Sequence, residues 1–167
     1  SQCDIDFYSQ TRHLENSSEL VSILKKKSQS QISKLMALSE KLSKLNFDRF
    51  QKFKLPFNRD NAKQAILAFK GDVYNGIDAP ALSTDDLKFA QDSVRMLSGL
   101  YGVIRPLDLI QPYRLEMGTK LSNSKGKDLY EYWGTEISDV LNEDESELIV
   151  NLSSNEYFKA VDKKILN

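Results

Sequence analysis

Apolar residues recur at three- and four-residue spacing through the first third of the chain. Ile32, Leu35, Met36, Leu38, Leu42, Leu45, Phe50 and Phe53 set this period over 31–53, predicting amphipathic helices with a basic outer surface. Ser39 reads as an internal cap that breaks the run in two. Before it, SSELVSILKKK (17–27) predicts a helix capped by Ser17 or Ser18, with Leu20, Ile23 and Leu24 inward and lysines at its end. KLPFNRD is a break. NAKQAILAFKGDVYNGID stays open: Asn61 suits a helix cap, ILAF and DVY suit strands, and Gly71 and Gly76 frame a turn or short segment. STDDLKFAQDSVRML (83–97) predicts a helix capped by Ser83 or Thr84, with Asp85 and Asp86 at its positive end. GKDLYEYWGTEISDVL (126–141) predicts another. ELIVNL (147–152) predicts a strand, followed by a polar turn and a short helix. One strand makes no sheet, so the pattern describes a helix-rich chain whose sheet is incomplete.

Composition narrows the class. The 167 residues are 40% hydrophobic and 28% charged, the balance of a globular domain rather than a disordered one. That length predicts a single domain over 1–167, with a basic helical part (11–54) and a distinctive second part (61–167). The longest apolar runs, such as AILAF, fall far short of the roughly 20 residues of a membrane span, so no membrane partner is expected. The start, SQCDIDFYSQ, holds Asp4 and Asp6 and no apolar leader core. The single cysteine, Cys3, cannot form an internal disulfide, which suits a reducing cytoplasm. Oligomeric state is not legible.

Charge is segregated. Net charge is −1, yet Thr11–Lys54 carries ten bases against four acids, and Glu136–Glu147 carries six acids and no base. A basic segment can meet phosphate by releasing its counterions, or it can be a solvated helix surface.

Three of the seven glycines fall in MLSGLYGVIRPLDLIQPYRLEMG (96–118). Gly99 and Gly102 can take positive φ or admit a close backbone. A glycine turn after a helix can hold a phosphate on its N–H groups, as helix-hairpin-helix modules do, with Arg95, Arg105 and Arg114 adding charge. The same glycines can equally form a helix cap and a packed turn. The usual hairpin spaces its glycines two apart; here they are three apart, and Pro106 follows. Catalysis finds less support. His13 is the only histidine, no nucleophile lies near it in sequence, and there is no CxxC or HExxH, so no catalytic residue, metal or cofactor is expected.

NAKQAILAFKGDVYNGI (61–77), RMLSGLYGVIRPLDLIQPYRLEMG (95–118), GKDLYEYWG (126–134) and VNLSSNEYFKAV (150–161) together resemble the YaaA family of bacterial peroxide-stress proteins. The first sixty residues match only in character. Family members begin with a short apolar strand and continue past this chain's last residue into a lysine-rich part, so the chain resembles a partial member. The resemblance implies an α/β fold, a mixed sheet surrounded by helices. It implies a role against hydrogen peroxide, limiting damage linked to unincorporated iron. It also implies binding of duplex or branched DNA through a positive cleft containing a helix-hairpin-helix. Carried onto this chain, that element falls on Leu97–Arg105. The implied DNA-binding residues are Arg95, Gly99, Tyr101, Gly102, Arg105, Arg114 and Lys120.

Two classes of function follow. One is a protein without chemistry of its own that grips DNA backbones and ignores sequence. The other is an enzyme or small-molecule binder whose polar pocket gathers Asp72, Tyr74, Tyr113, Glu116, Asn151, Glu156 and Tyr157 from three turns.

Overall fold

The computed structural model of the protein describes residues 6–167; Cys3 and Asp4 lie outside them, as does the side chain of Asp72. In chain order the elements are α1 (Leu14–Lys25), α2 (Gln29–Met36), α3 (Glu40–Lys52), β1 (Lys63–Gln64), α4 (Ala65–Ala68) and α5 (Asp72–Asn75). A 3₁₀ turn (Ala79–Ala81), α6 (Thr84–Ser93), β2 (Met96–Ser98), β3 (Gly102–Ile104) and β4 (Leu109–Ile110) follow. The last are α7 (Leu129–Trp133), α8 (Glu136–Glu143) and α9 (Asn155–Phe158). Among the described residues the strands form two small sheets, β1–β4 and β2–β3, so the α/β class holds with helix predominant.

The chain divides into two compact units. The first gathers the chain up to Arg12, Phe53–Met96 and Ile104–Pro112. Its sheet pairs Lys63 with Ile110 and Gln64 with Leu109 in antiparallel register, and Ser9 bridges Asp108 on the other side of β4. A core of Ile66, Ala79, Leu87 and Leu107 lies beside it, with Phe7, Leu67, Ile77 and Leu82 around. Helix α6 starts where its sequence says. Ser83 accepts from Asp86 N–H while the Asp86 carboxylate accepts from Ser83 N–H, a closed capping box. The Ser83 hydroxyl, which donates to the same carboxylate (2.6 Å), and then the Ser83 N–H hold the Asp86 carboxyl below its usual range.

One buried polar group organises this unit. Asp108 is fully buried and accepts from Ser9 Oγ (2.6 Å), Arg105 N–H (2.8 Å) and Arg105 Nη2 (2.9 Å). Gln91 completes the set, donating to Ser9 Oγ and accepting from Leu107 N–H. A buried carboxylate is tolerated only when so fully paired.

The second unit gathers His13–Lys52, Leu97–Val103 and Tyr113–Asn167. Trp133 and Tyr132 are its largest fully buried side chains together with Tyr101. Trp133 donates from Nε1 to the Gly99 carbonyl (3.0 Å). The helix expected over 126–141 is two helices, because Gly134 takes φ +49° between α7 and α8. Helix α1 begins at Leu14, ahead of the expected caps. Ser17 and Ser18 bond back to the carbonyls of His13 and Leu14 instead.

The strand expected over 147–152 does not form: among the described residues it makes no ladder, and Leu148, Ile149, Val150 and Leu152 are exposed. A strand needs a neighbour for its N–H and C=O groups, and this unit supplies none there.

Candidate nucleic-acid interface

Helices α1, α2 and α3 form a layer of the second unit in which α3 packs on both others. Between His13 and Lys52 the sequence holds eight lysines and arginines against four acids. The layer is therefore basic while the whole chain is slightly acidic.

Its best-defined local structure is the α2–α3 connection. Helix α2 opens with a capping box, Ser28 Oγ accepting from Gln31 N–H and Gln31 Oε1 accepting from Ser28 N–H. It closes at Ala37, a non-glycine residue in the left-handed region at φ +51°. The N–H groups of Ala37 and Leu38 both bond to the Ser33 carbonyl, and Ser33 Oγ donates to the Leu38 carbonyl (2.7 Å). Leu38 is buried and plugs the turn. Ser39 then accepts from Leu42 N–H at the start of α3, the internal cap that its position predicts. Gln51 Nε2 donates to the Lys25 carbonyl and ties α3 to α1. A short rigid turn joins two helices, with Lys34, Ser39, Lys41 and Lys44 all exposed. Lys44 shares its charge with Asp48 (3.2 Å), a surface pair of small worth.

Leu97–Arg105, where the helix-hairpin-helix is expected, is a strand–turn–strand instead. Its glycines serve packing. Gly102 takes φ +72°, and a methyl group there would meet the Trp133 ring at 2.8 Å; one at Gly99 would run into the Leu115 carbonyl. Tyr101 is fully buried, edge-on to Tyr113, and its N–H bonds to Ser98 Oγ. Neither the glycine turn nor Tyr101 presents a face to a ligand.

The named cations divide. Arg105 is spent on Asp108 and the Gln10 carbonyl. Arg95 donates to the carbonyls of Gln91 and Val94. Arg114 pairs with Glu116 at the surface (2.9 Å). Lys120 is exposed.

The polar-pocket residues belong to both units. Tyr74, in the first, stacks on Phe69, and burial raises its hydroxyl above the usual range. In the second, Tyr113 Oη bonds Ser98 Oγ (2.5 Å), and Glu156 accepts from Gly118 N–H (2.9 Å). Asn151 closes its own turn on Ser153, while Tyr157 is half-buried. The structure thus brings Glu156 to the segment after Glu116.

One feature of the second unit escaped the sequence pattern. Tyr130, Gly134, Asn155 and the stretch Phe158–Lys164 line an open recess of about 570 Å³. The signal that could have found it is the spacing of Lys159, Lys163 and Lys164 behind an aromatic residue.

The model of the family described as "Peroxide stress protein YaaA" matches residues 2–167. The chain belongs to this family. A UPF0246 protein of Saccharophagus degradans is 56% identical over 158 residues, covering 92% of this chain and 62% of the relative. Relatives from Albidiferax ferrireducens (56% over 163 residues; 95% and 63%) and Pseudoalteromonas translucida (54% over 166 residues; 97% and 64%) match likewise. The chain thus spans a little under two thirds of the length of these YaaA-family relatives. Among the described residues no group of three or more His, Cys, Asp or Glu side chains is placed to hold a metal ion, and no helix is long and apolar enough to cross a membrane.

Proposed function

We propose that this YaaA-family chain acts in the peroxide-stress response by engaging the phosphate backbone of duplex or branched DNA through the α1–α3 layer. The observation that carries this reading is the short α2–α3 turn between two helices, flanked by the exposed Lys34, Lys41 and Lys44. On this reading the helix-hairpin-helix that the family resemblance implies lies here rather than at the glycine turn. Exposed lysines at a rigid turn supply charge without side chains arranged to read base edges, so binding is sequence-tolerant and salt-sensitive. Protection from damage driven by unincorporated iron then follows from coverage of the DNA rather than from chemistry.

Fluorescence anisotropy with labelled duplex and four-way-junction DNA at two or more salt concentrations tests this. The triple change Lys34→Ala, Lys41→Ala, Lys44→Ala is expected to weaken all DNAs alike and to lower the slope of log K against log salt by up to about one per contact removed. Undiminished affinity and slope in a folded triple variant would move the interface elsewhere.

A further inference from the structure

The recess beside α9 combines two chemistries, aromatic faces and ammonium groups. Lys159 Nζ lies 4.8 Å from the centroid of the Tyr130 ring, and Lys163 Nζ lies 5.0 Å from that of Phe158. Lys164 lines the same recess and is exposed. Both rings are only half-buried. The Tyr130 hydroxyl donates to the Glu156 carbonyl (2.7 Å), which fixes that ring by its edge, and Lys159 Nζ covers one face. Asp162 is the acid of the lining, and its carboxylate is turned to the backbone, accepting from Lys164 N–H (3.0 Å).

A π-face covered by an ammonium on a flexible stem suits one nucleotide. The base takes the lysine's place on the ring, and the displaced ammonium meets the phosphate a few ångströms away. A duplex cannot use the ring, because its bases are stacked on each other; a bare anion has no use for it either. The recess of about 570 Å³ is also within the range of sites that hold a small ligand.

We propose that the recess formed by Tyr130, Phe158, Lys159, Lys163 and Lys164 binds an unpaired nucleotide of single-stranded DNA. It deepens the nucleic-acid reading, yet stands on a separate part of the second unit. Single strands dock at the recess and duplex backbone at the α1–α3 layer.

The test uses the whole chain, a labelled oligothymidylate and a labelled duplex. Tyr130→Leu is expected to weaken oligothymidylate binding by about 10-fold, within the range reported for loss of one stacked base, and to leave the duplex unchanged. Tyr130→Phe keeps the ring and retains single-strand affinity. A triple alanine change at Lys159, Lys163 and Lys164 lowers single-strand affinity and its salt dependence. Circular-dichroism melts confirm that each variant is folded. Oligothymidylate affinity indifferent both to Tyr130→Leu and to the lysine changes overturns the proposal, as does an equal loss for duplex and single strand. If the Lys34, Lys41 and Lys44 changes leave duplex binding intact while Tyr130→Leu still weakens the single strand, the α1–α3 reading falls and this one stands.

Discussion

Two turns of the second unit invite comparison. The turn between β2 and β3 holds Gly99 and ends on Gly102, the first residue of β3, and the turn between α2 and α3 holds Ala37, Leu38 and Ser39 without a glycine. The first is buried throughout its glycines and Tyr101, against the indole of Trp133 and the Leu115 carbonyl. The second buries only Leu38 and leaves Ala37 and Ser39 in solvent. Glycine permits positive φ and close approach, and those are needs of a crowded interior as much as of a ligand site. A left-handed residue with a side chain is tolerated at Ala37 because nothing crowds it, so its cost is that of the backbone alone, about 1 kcal/mol. The richer glycine pattern thus marks the better-packed turn, and the plainer one is the turn a partner can reach.

The sharpest way to break this contrast is Gly102→Ala. A methyl group at φ +72° and 2.8 Å from the Trp133 ring adds backbone strain to overpacking, an expected loss of about 3 kcal/mol. Urea denaturation reads this directly; a loss below about 1 kcal/mol means the turn is not crowded. DNA affinity per folded molecule is expected to stay the same.

Arg105→Ala comes next. The change leaves the buried Asp108 without its guanidinium, for an expected cost of about 2 kcal/mol, discounted because Arg105 is itself partly exposed. Stability should fall while DNA affinity holds. The opposite result, weaker binding at full stability, would restore Arg105 as a phosphate ligand.

The smallest effect concerns the wall beside Trp133. Tyr132 is buried, and its one hydroxyl proton is shared between the Asn16 carbonyl (3.0 Å) and Glu19 Oε2 (2.9 Å); burial first, then that carboxylate, raises its hydroxyl well above the usual tyrosine range. The hydroxyls of Ser124 and Tyr132 in turn hold the Glu19 carboxyl low. A raised folded-state value means that stability is fully present below about pH 10, where unfolded tyrosine is neutral. It is lost as pH rises through the folded value. Tyr132→Phe should cost about 1 kcal/mol at neutral pH and flatten the alkaline decline by up to one proton. An unchanged slope in pH-dependent melts would show that the hydroxyl titrates freely.

What could be read in advance follows a physical line. The start of α6 and the break at Ser39 were legible because a cap is satisfied within a few residues of itself, whereas the Ser28 box that opens α2 went unread. The inward face of α3 was not. Leu42 and Leu45 are exposed, while Ser43 and Asn46 are buried; Ser43 Oγ and Asn46 Nδ2 bond back to the carbonyls of Glu40 and Leu42, and Asn46 Oδ1 is buried without a hydrogen-bond partner among the described residues. The glycine turn was recognisable as a turn, but what crowds it comes from Trp133, thirty-odd residues on, which no local pattern encodes. The recess was missed for the same reason: Tyr130 and Lys159 meet only in the fold. The failed strand at 147–152 shows the converse, a strong local preference with no partner to complete it.

That stretch has a consequence for the handling of the protein. Four large aliphatic side chains within five residues, with unladdered backbone, are a template for adding further chains. Directly before them stand Glu143, Asp144, Glu145 and Glu147, like charges that make the approach of a second such stretch unfavourable. Light scattering of concentrated samples is therefore expected to rise with ionic strength, as added salt screens that repulsion.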